Sequence, residues 1–158
     1  MMLLAVFAMA QEQTPPESPK PDPSILKEFT RTGTVSGITM SFVLVNDKTV
    51  EVLFSGPSKY SLRARARMGT LIYLQGTPEK DVNQVNMKFT MEQDGATVDG
   101  TTLNIKNFEG GAVPKGTRID GLVQFDKKLD LSHPFRIKNA KTTVEFKLSQ
   151  SALKLLGS

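Results

Sequence analysis

Strict alternation of apolar and polar residues over paired short runs leaves little choice of secondary structure, and this chain closes on such a pair. In Phe135–Leu148, Phe135 and Ile137 share one side, with Arg136 and Lys138 on the other. Val144, Phe146 and Leu148 then alternate with Glu145 and Lys147. Side chains switch faces at every residue of a strand, so this is a hairpin with one face in a core and one in water. An earlier stretch, Phe42–Ser55, reads the same way, as two strands joined at an Asn46-Asp47-Lys48 turn. Phe42 and Leu44 fall on one face of its first arm, and Val50, Val52 and Phe54 on one face of its second. Asn and Asp tolerate the positive φ that a tight hairpin turn needs. With one residue inserted near the turn, Phe42, Asn46, Lys48, Thr49, Val50, Glu51 and Ser55 match Phe135, Asn139, Lys141, Thr142, Val144, Glu145 and Ser149. The two stretches are expected to be versions of one unit.

The remaining segments are expected to lie beside these hairpins. Glu28–Ile38, holding Gly33 and Gly37, reads as a first strand with a bend. Phe42–Val45 is apolar on both faces, as a central strand would be. Gly56-Pro57-Ser58 interrupts the chain, and Lys59–Met68 follows. If extended, it puts Arg63, Arg65 and Arg67 on one face and Leu62, Ala64, Ala66 and Met68 on the other, which predicts a half-exposed strand. Thr70–Gln75 is another strand apolar on both faces, Gly76–Gln84 a polar loop, and Val85–Met91 an alternating strand. Asp94-Gly95 and Asp99-Gly100 mark turns. Leu103 and Ile105 are expected to face inward, as are Ile119, Val123 and Phe125 beyond a loop holding Gly110, Gly111, Pro114 and Gly116. Ser149 can cap a short helix over Gln150–Leu156, with Gly157 as its stop. About eight to ten strands with almost no helix make an all-β sandwich or barrel.

The chain has 158 residues, enough for a single domain with a real core. Met1–Ala10 is apolar and ends in Ala8-Met9-Ala10, an A-x-A-like cleavage site, so 1–10 reads as a signal-peptide-like segment and the protein as exported, periplasmic or secreted. The run is too short to span a bilayer, which takes about 20 apolar residues, so no transmembrane span is expected. Pro15, Pro16, Pro19, Pro21 and Pro23 make 11–24 an extended linker, and the all-β domain is expected over 25–158.

Catalytic chemistry has little to draw on. There is one histidine, His133, and there are no cysteines, so thiolate chemistry is absent, and an ordinary zinc site would lack its usual ligands. Asp94 and Asp99 sit in turns without the spacing of an EF-hand. Gly110-Gly111 and Gly116 lack the strand-to-helix setting of a phosphate loop. The expectation is a protein that is not an enzyme and carries no cofactor or metal. The formal charge of +4 is modest. Its one concentration, Lys59 with Arg63, Arg65 and Arg67, is the candidate face for an anionic partner. Strand geometry would space the three guanidinium groups about 6.5–7 Å apart, suiting carboxylates or phosphates. The same charges could instead protect an edge strand from pairing with other sheets.

Ser41–Val52, then Tyr60-Ser61-Leu62 and Gly69, resembles extracellular immunoglobulin-like modules of bacterial proteins. Val113-Pro114-Lys115-Gly116, followed by Gly121–Phe125, is similar to the closing turn and strand of telokin-like domains. This resemblance implies an immunoglobulin-like β-sandwich acting as a non-catalytic binding or assembly module, with another envelope or extracellular protein as partner. As a rival to that reading, Gly33–Gly37, Phe42–Asn46, Val50–Gly56 and Met68–Gly76 resemble the first four strands of an OB-fold, with Leu103–Phe108 as the candidate fifth. That alternative implies an OB-like barrel with an extra hairpin, binding an anionic polymer or ligand through the arginine-rich strand.

Overall fold

The computed structural model describes residues 22–157; the expected leader and most of the expected linker lie outside the described residues. Pro23–Ile25 forms a 3-10 turn, capped by the Asp22 carboxylate accepting from the Ser24 N–H at 2.9 Å. It runs into a short helix, α1 (Leu26–Phe29). Strands β1 (Thr30–Val35) and β2 (Ile38–Leu44) then make a hairpin. Its turn is Ser36-Gly37, both at positive φ, so the single bent strand expected over Glu28–Ile38 is two strands. Next come α2 (Thr49–Leu53), α3 (Ser58–Met68) and β3 (Thr70–Gly76). They are followed by β4 (Val82–Val85), β5 (Thr90–Gln93), β6 (Ala96–Lys106), β7 (Gly111–Val113) and β8 (Ile119–Phe125). The chain closes with β9 (Phe135–Asn139), β10 (Thr142–Phe146) and α4 (Gln150–Leu155).

Eight strands form one antiparallel sheet in the order β1-β2-β3-β8-β6-β5-β9-β10, and β4 pairs with β7 as a separate ribbon. β6 serves both halves of the sheet. Thr97–Asp99 continue the pairing with β5 that starts at Ala96, and Gly100–Asn104 pair with β8. A Cβ at Gly100 would run into the side chains of Val123 and Phe125, so glycine is what lets the strand pass that close. The two ends of the order lie side by side. Thr142 Oγ1 donates to the Thr34 carbonyl at 2.6 Å, and Arg31 Nη2 donates to the Lys147 carbonyl at 2.9 Å. The sheet is therefore nearly closed and barrel-like, and the all-β class expected from the alternation is what the chain adopts.

Two apolar clusters explain the strands that are apolar on both faces. Inside the curl, Phe42, Leu44, Ile72, Leu74, Val123, Phe125, Phe135 and Phe146 form the main core. On the outer side of β2, β3 and β8, Val43, Val45, Leu71, Tyr73 and Leu122 form a second cluster, covered by Leu53, Leu62 and Ala66 from α2 and α3. A central strand needs apolar residues on both sides because each side meets a different layer.

Several further expectations are corrected: Asp99-Gly100 lies within β6 and not at a turn, the loop expected over Gly76–Gln84 holds the start of β4, and the loop around Gly110–Gly116 holds β7. The second arm of the first hairpin, Val50–Ser55, is not a strand. The Asn46 side chain accepts from the N–H groups of Lys48 (2.9 Å) and Thr49 (3.0 Å), Thr49 Oγ1 accepts from the Asn46 N–H (2.9 Å), and Val50 N–H bonds the Asn46 carbonyl (3.0 Å). This reciprocal cap starts a helix where a turn was expected. The match to the closing hairpin thus holds for one arm only. Lys59–Met68 is likewise helical: Ser58–Met68 contains no β-branched residue and is rich in Ala and Arg, which favour helix. Val85–Met91 is interrupted, because Asn139 Nδ2 donates to the carbonyls of Asn86 (2.8 Å) and Lys88 (3.0 Å) and draws that segment out of the sheet. Finally, Leu103 packs into the outer cluster and Ile105 is exposed, so neither faces the main core. The closing hairpin and the Ser149 cap, which accepts from the Ala152 N–H at 3.0 Å, are as expected.

Candidate functional site

The arginine-rich stretch takes its geometry from the helical period. Lys59, Arg63 and Arg67 recur every four residues and share one face of α3. That face meets Asp47 and Glu51, themselves four apart along α2 and the turn before it. Lys59 Nζ lies 2.9 Å from Glu51, Arg63 bonds Glu51 and sits 3.5 Å from Asp47, and Arg67 Nη2 reaches Asp47 at 3.0 Å. The result is a ladder of ion pairs between the two helices. Lys59 holds the Glu51 carboxyl below its usual range, with Arg63 adding to the effect. Arg65, two residues from each neighbouring arginine, is exposed and has no ion pair among the described residues. Three of the four residues expected on one strand face are thus brought together, on a helix and already paired, and the fourth is not with them.

The C-terminal end of this ladder opens on a cleft of about 480 Å³. Four pieces of chain meet there: the end of β2 with the Asn46 cap, the end of α3 with Gly69 and Thr70, the loop between β8 and β9, and the last turn of α4. Its apolar walls come from Leu44, Leu129, Leu131, Leu155 and Leu156, and Lys48, Arg67 and Lys128 stand among them. Lys48 and Lys128 are exposed and have no ion pair among the described residues. The one carboxylate in the lining, Asp47, already receives Arg63 and Arg67. Asn46 also lines the cleft; its Oδ1 is used by the cap, and its buried Nδ2 has no hydrogen-bond acceptor. No pattern in the sequence pointed to this site, because its residues come from 44 to 156 and meet only through the curl of the sheet.

The loop that forms one wall is fixed from the far side by a buried residue. Gln93 Nε2 donates to the Asp130 carbonyl at 2.7 Å, and Gln93 Oε1 accepts from the Asp130 N–H at 3.1 Å. His133, the single histidine of the sequence, places Nδ1 3.1 Å from Asp94 and Nε2 3.9 Å from Asp130. The hydrogen bond to Asp94, with both carboxylates adding charge, raises its pKa above the ordinary value. A third polar group lies on the outer face of β3 and β8. Tyr73 Oη donates to Asp120 at 2.9 Å, and Arg118 donates to Asp120 at 2.8 Å and to Gln75 at 2.7 Å. Burial raises the Tyr73 pKa, and Asp120 holds Arg118 firmly in its charged form. These contacts tie neighbouring strands, and only the register of β3 against β8 brings them together. Among the described residues, no three His, Cys, Asp or Glu side chains converge as a metal site would require, and no helix is long and apolar enough to cross a membrane.

No family model matches this chain, and no match is found among curated proteins or solved structures.

Proposed function

We propose that this protein is a non-catalytic binding module of the cell envelope or extracellular space, and that the cleft at the end of the barrel is its recognition site. The observation that carries this reading is the pairing of leucine walls with two lysines, Lys48 and Lys128, that have no ion pair among the described residues. Ligand sites combine such apolar walls with a few placed polar groups, within volumes of about 300–1,000 Å³. The lining also favours binding over proton transfer: its one carboxylate is held by two arginines, and no histidine is among the lining residues. Export is part of the same proposal and rests on the apolar run ending in Ala8-Met9-Ala10.

The near-closed sheet supports the barrel alternative over a two-layer sandwich, but the proposal depends on neither immunoglobulin-like nor OB-type kinship. A polyanion-binding role would draw on Lys59, Arg63 and Arg67, whose charges are already met by Asp47 and Glu51, so no observation here favours it. The deciding experiment compares the wild-type protein with Leu129→Asp, each recovered from its native source fraction and examined by native mass spectrometry. We expect the wild type to carry a bound species that the variant, lower in melting temperature but still folded by circular dichroism, lacks. Identical spectra from two folded proteins would refute the cleft as the recognition site.

A further inference from the structure

We infer that the ligand of this cleft is a single-chain amphiphile with a carboxylate head, its chain against the leucine walls and its head among Lys48 and Lys128. This rests on the cleft being the recognition site and adds the chemical class of what it takes. The reasoning starts from what each part of the cleft lacks. Leu129 and Leu131 from the loop, and Leu155 and Leu156 from the end of α4, are only partly buried although they pack against the main core. An aliphatic chain between them would remove that remaining surface from water, which is where the affinity would come from.

Charge selects the head. Lys48 and Lys128 have no ion pair among the described residues, and Arg67 shares its one carboxylate with Arg63. Long lysine stems can lie along an apolar wall while the ammonium reaches the mouth. The cationic excess is small, three cations against one carboxylate in the lining, which suits a head with a single negative charge. A polyanion would need a row of free cations, and the row on α3 is used internally. Asn46 is a further polar residue of the lining, and its buried Nδ2 has no hydrogen-bond acceptor. An extended peptide fits less well. The backbone of β2 and β3 at this end is already paired, Val45 N–H with the Leu71 carbonyl at 2.9 Å included, so no strand edge is offered to it.

The test is calorimetric titration with dodecanoate below its micelle concentration, alongside dodecan-1-ol and acetate as probes of chain and head alone. We expect saturable binding of dodecanoate, with each control at least about tenfold weaker. The double variant Lys48→Gln, Lys128→Gln changes two exposed, unpaired side chains and should fold normally. It should weaken dodecanoate about tenfold or more and leave dodecan-1-ol unchanged, since hydrogen bonds to charged groups account for differences of that size. No binding of dodecanoate, equal affinity for the alcohol, or indifference to the double variant would each overturn the inference. If dodecanoate fails while the wild type still carries a species that Leu129→Asp loses, the ligand class is wrong and the recognition site stands. If folded Leu129→Asp loses nothing, the recognition site falls, and this inference with it.

Discussion

One buried amide, Gln93, holds the loop that builds a wall of the cleft. Its side chain donates to and accepts from Asp130, and it lies almost wholly inside, at 6% exposure. Truncation removes both hydrogen bonds, and bonds of this kind contribute about 0.5–1.5 kcal/mol each. Gln93→Ala should therefore lower stability by about 2 kcal/mol in chemical denaturation, and a loss below about 0.5 kcal/mol would mean that the loop is held by other contacts. His133 acts on the same loop through charge. Asp94 lifts its pKa above the ordinary 6.5, so the native state binds a proton more tightly than the unfolded chain does. The stabilisation is complete below that ordinary value and is lost as pH rises through the lifted one. His133→Asn should accordingly lower the melting temperature near about pH 5.5 and leave it unchanged near about pH 9. Equal shifts at both would show that the contact is not electrostatic.

At the level of elements, α3 is where alternation misleads. Arg63, Arg65 and Arg67 separated by alanines satisfy a period of two, yet Lys59, Arg63 and Arg67 also satisfy a period near 3.6, and only the second finds partners in Asp47 and Glu51. Propensity breaks the tie in favour of helix, because Ser58–Met68 has no Val, Ile or Thr. Ala64 is exposed in the middle of α3, so Ala64→Gly should cost about 1 kcal/mol, and Ala64→Val should also destabilise, by about 0.5 kcal/mol. A strand would respond to valine in the opposite direction, and a stabilising Ala64→Val, measured by denaturant midpoint, would contradict the helix. The closing hairpin was legible because its alternation meets no competing period. Asn46 was not, since the side chain that tolerates a turn also caps a helix, and what decided between them was Thr49 three residues on. The cleft was less legible still. Leu129 and Lys128 in a loop, and Leu155 and Leu156 at the end of a helix, carry no spacing rule that links them to Lys48.

Across the whole molecule the main core joins the two hairpin-bearing ends of the sheet. Phe42 and Phe135 lie on β2 and β9 and are each 1% exposed. Phe42→Ala and Phe135→Ala should each cost about 3–5 kcal/mol, as for large-to-small changes in packed cores. Both variants should still melt in one transition, as small single domains usually do. Separate transitions for the two would show that the halves joined by β6 unfold independently. The side-by-side placement of β1 and β10 has a consequence for connectivity. α1 packs against α4, and the Glu28 carboxylate accepts from Ser149 Oγ at 2.7 Å, so the described chain begins and finishes at one corner. A short bridge from Gly157 to Asp22 would make the polypeptide a ring without disturbing a strand, and the ring could be reopened at the exposed Ala140-Lys141 turn. Native domains with neighbouring ends tolerate such relinking. A permuted chain starting at Lys141 should give the same sheet-rich far-ultraviolet circular dichroism as the parent, and failure to do so would mean that the order of synthesis, and not the contact map, decides how this sheet closes.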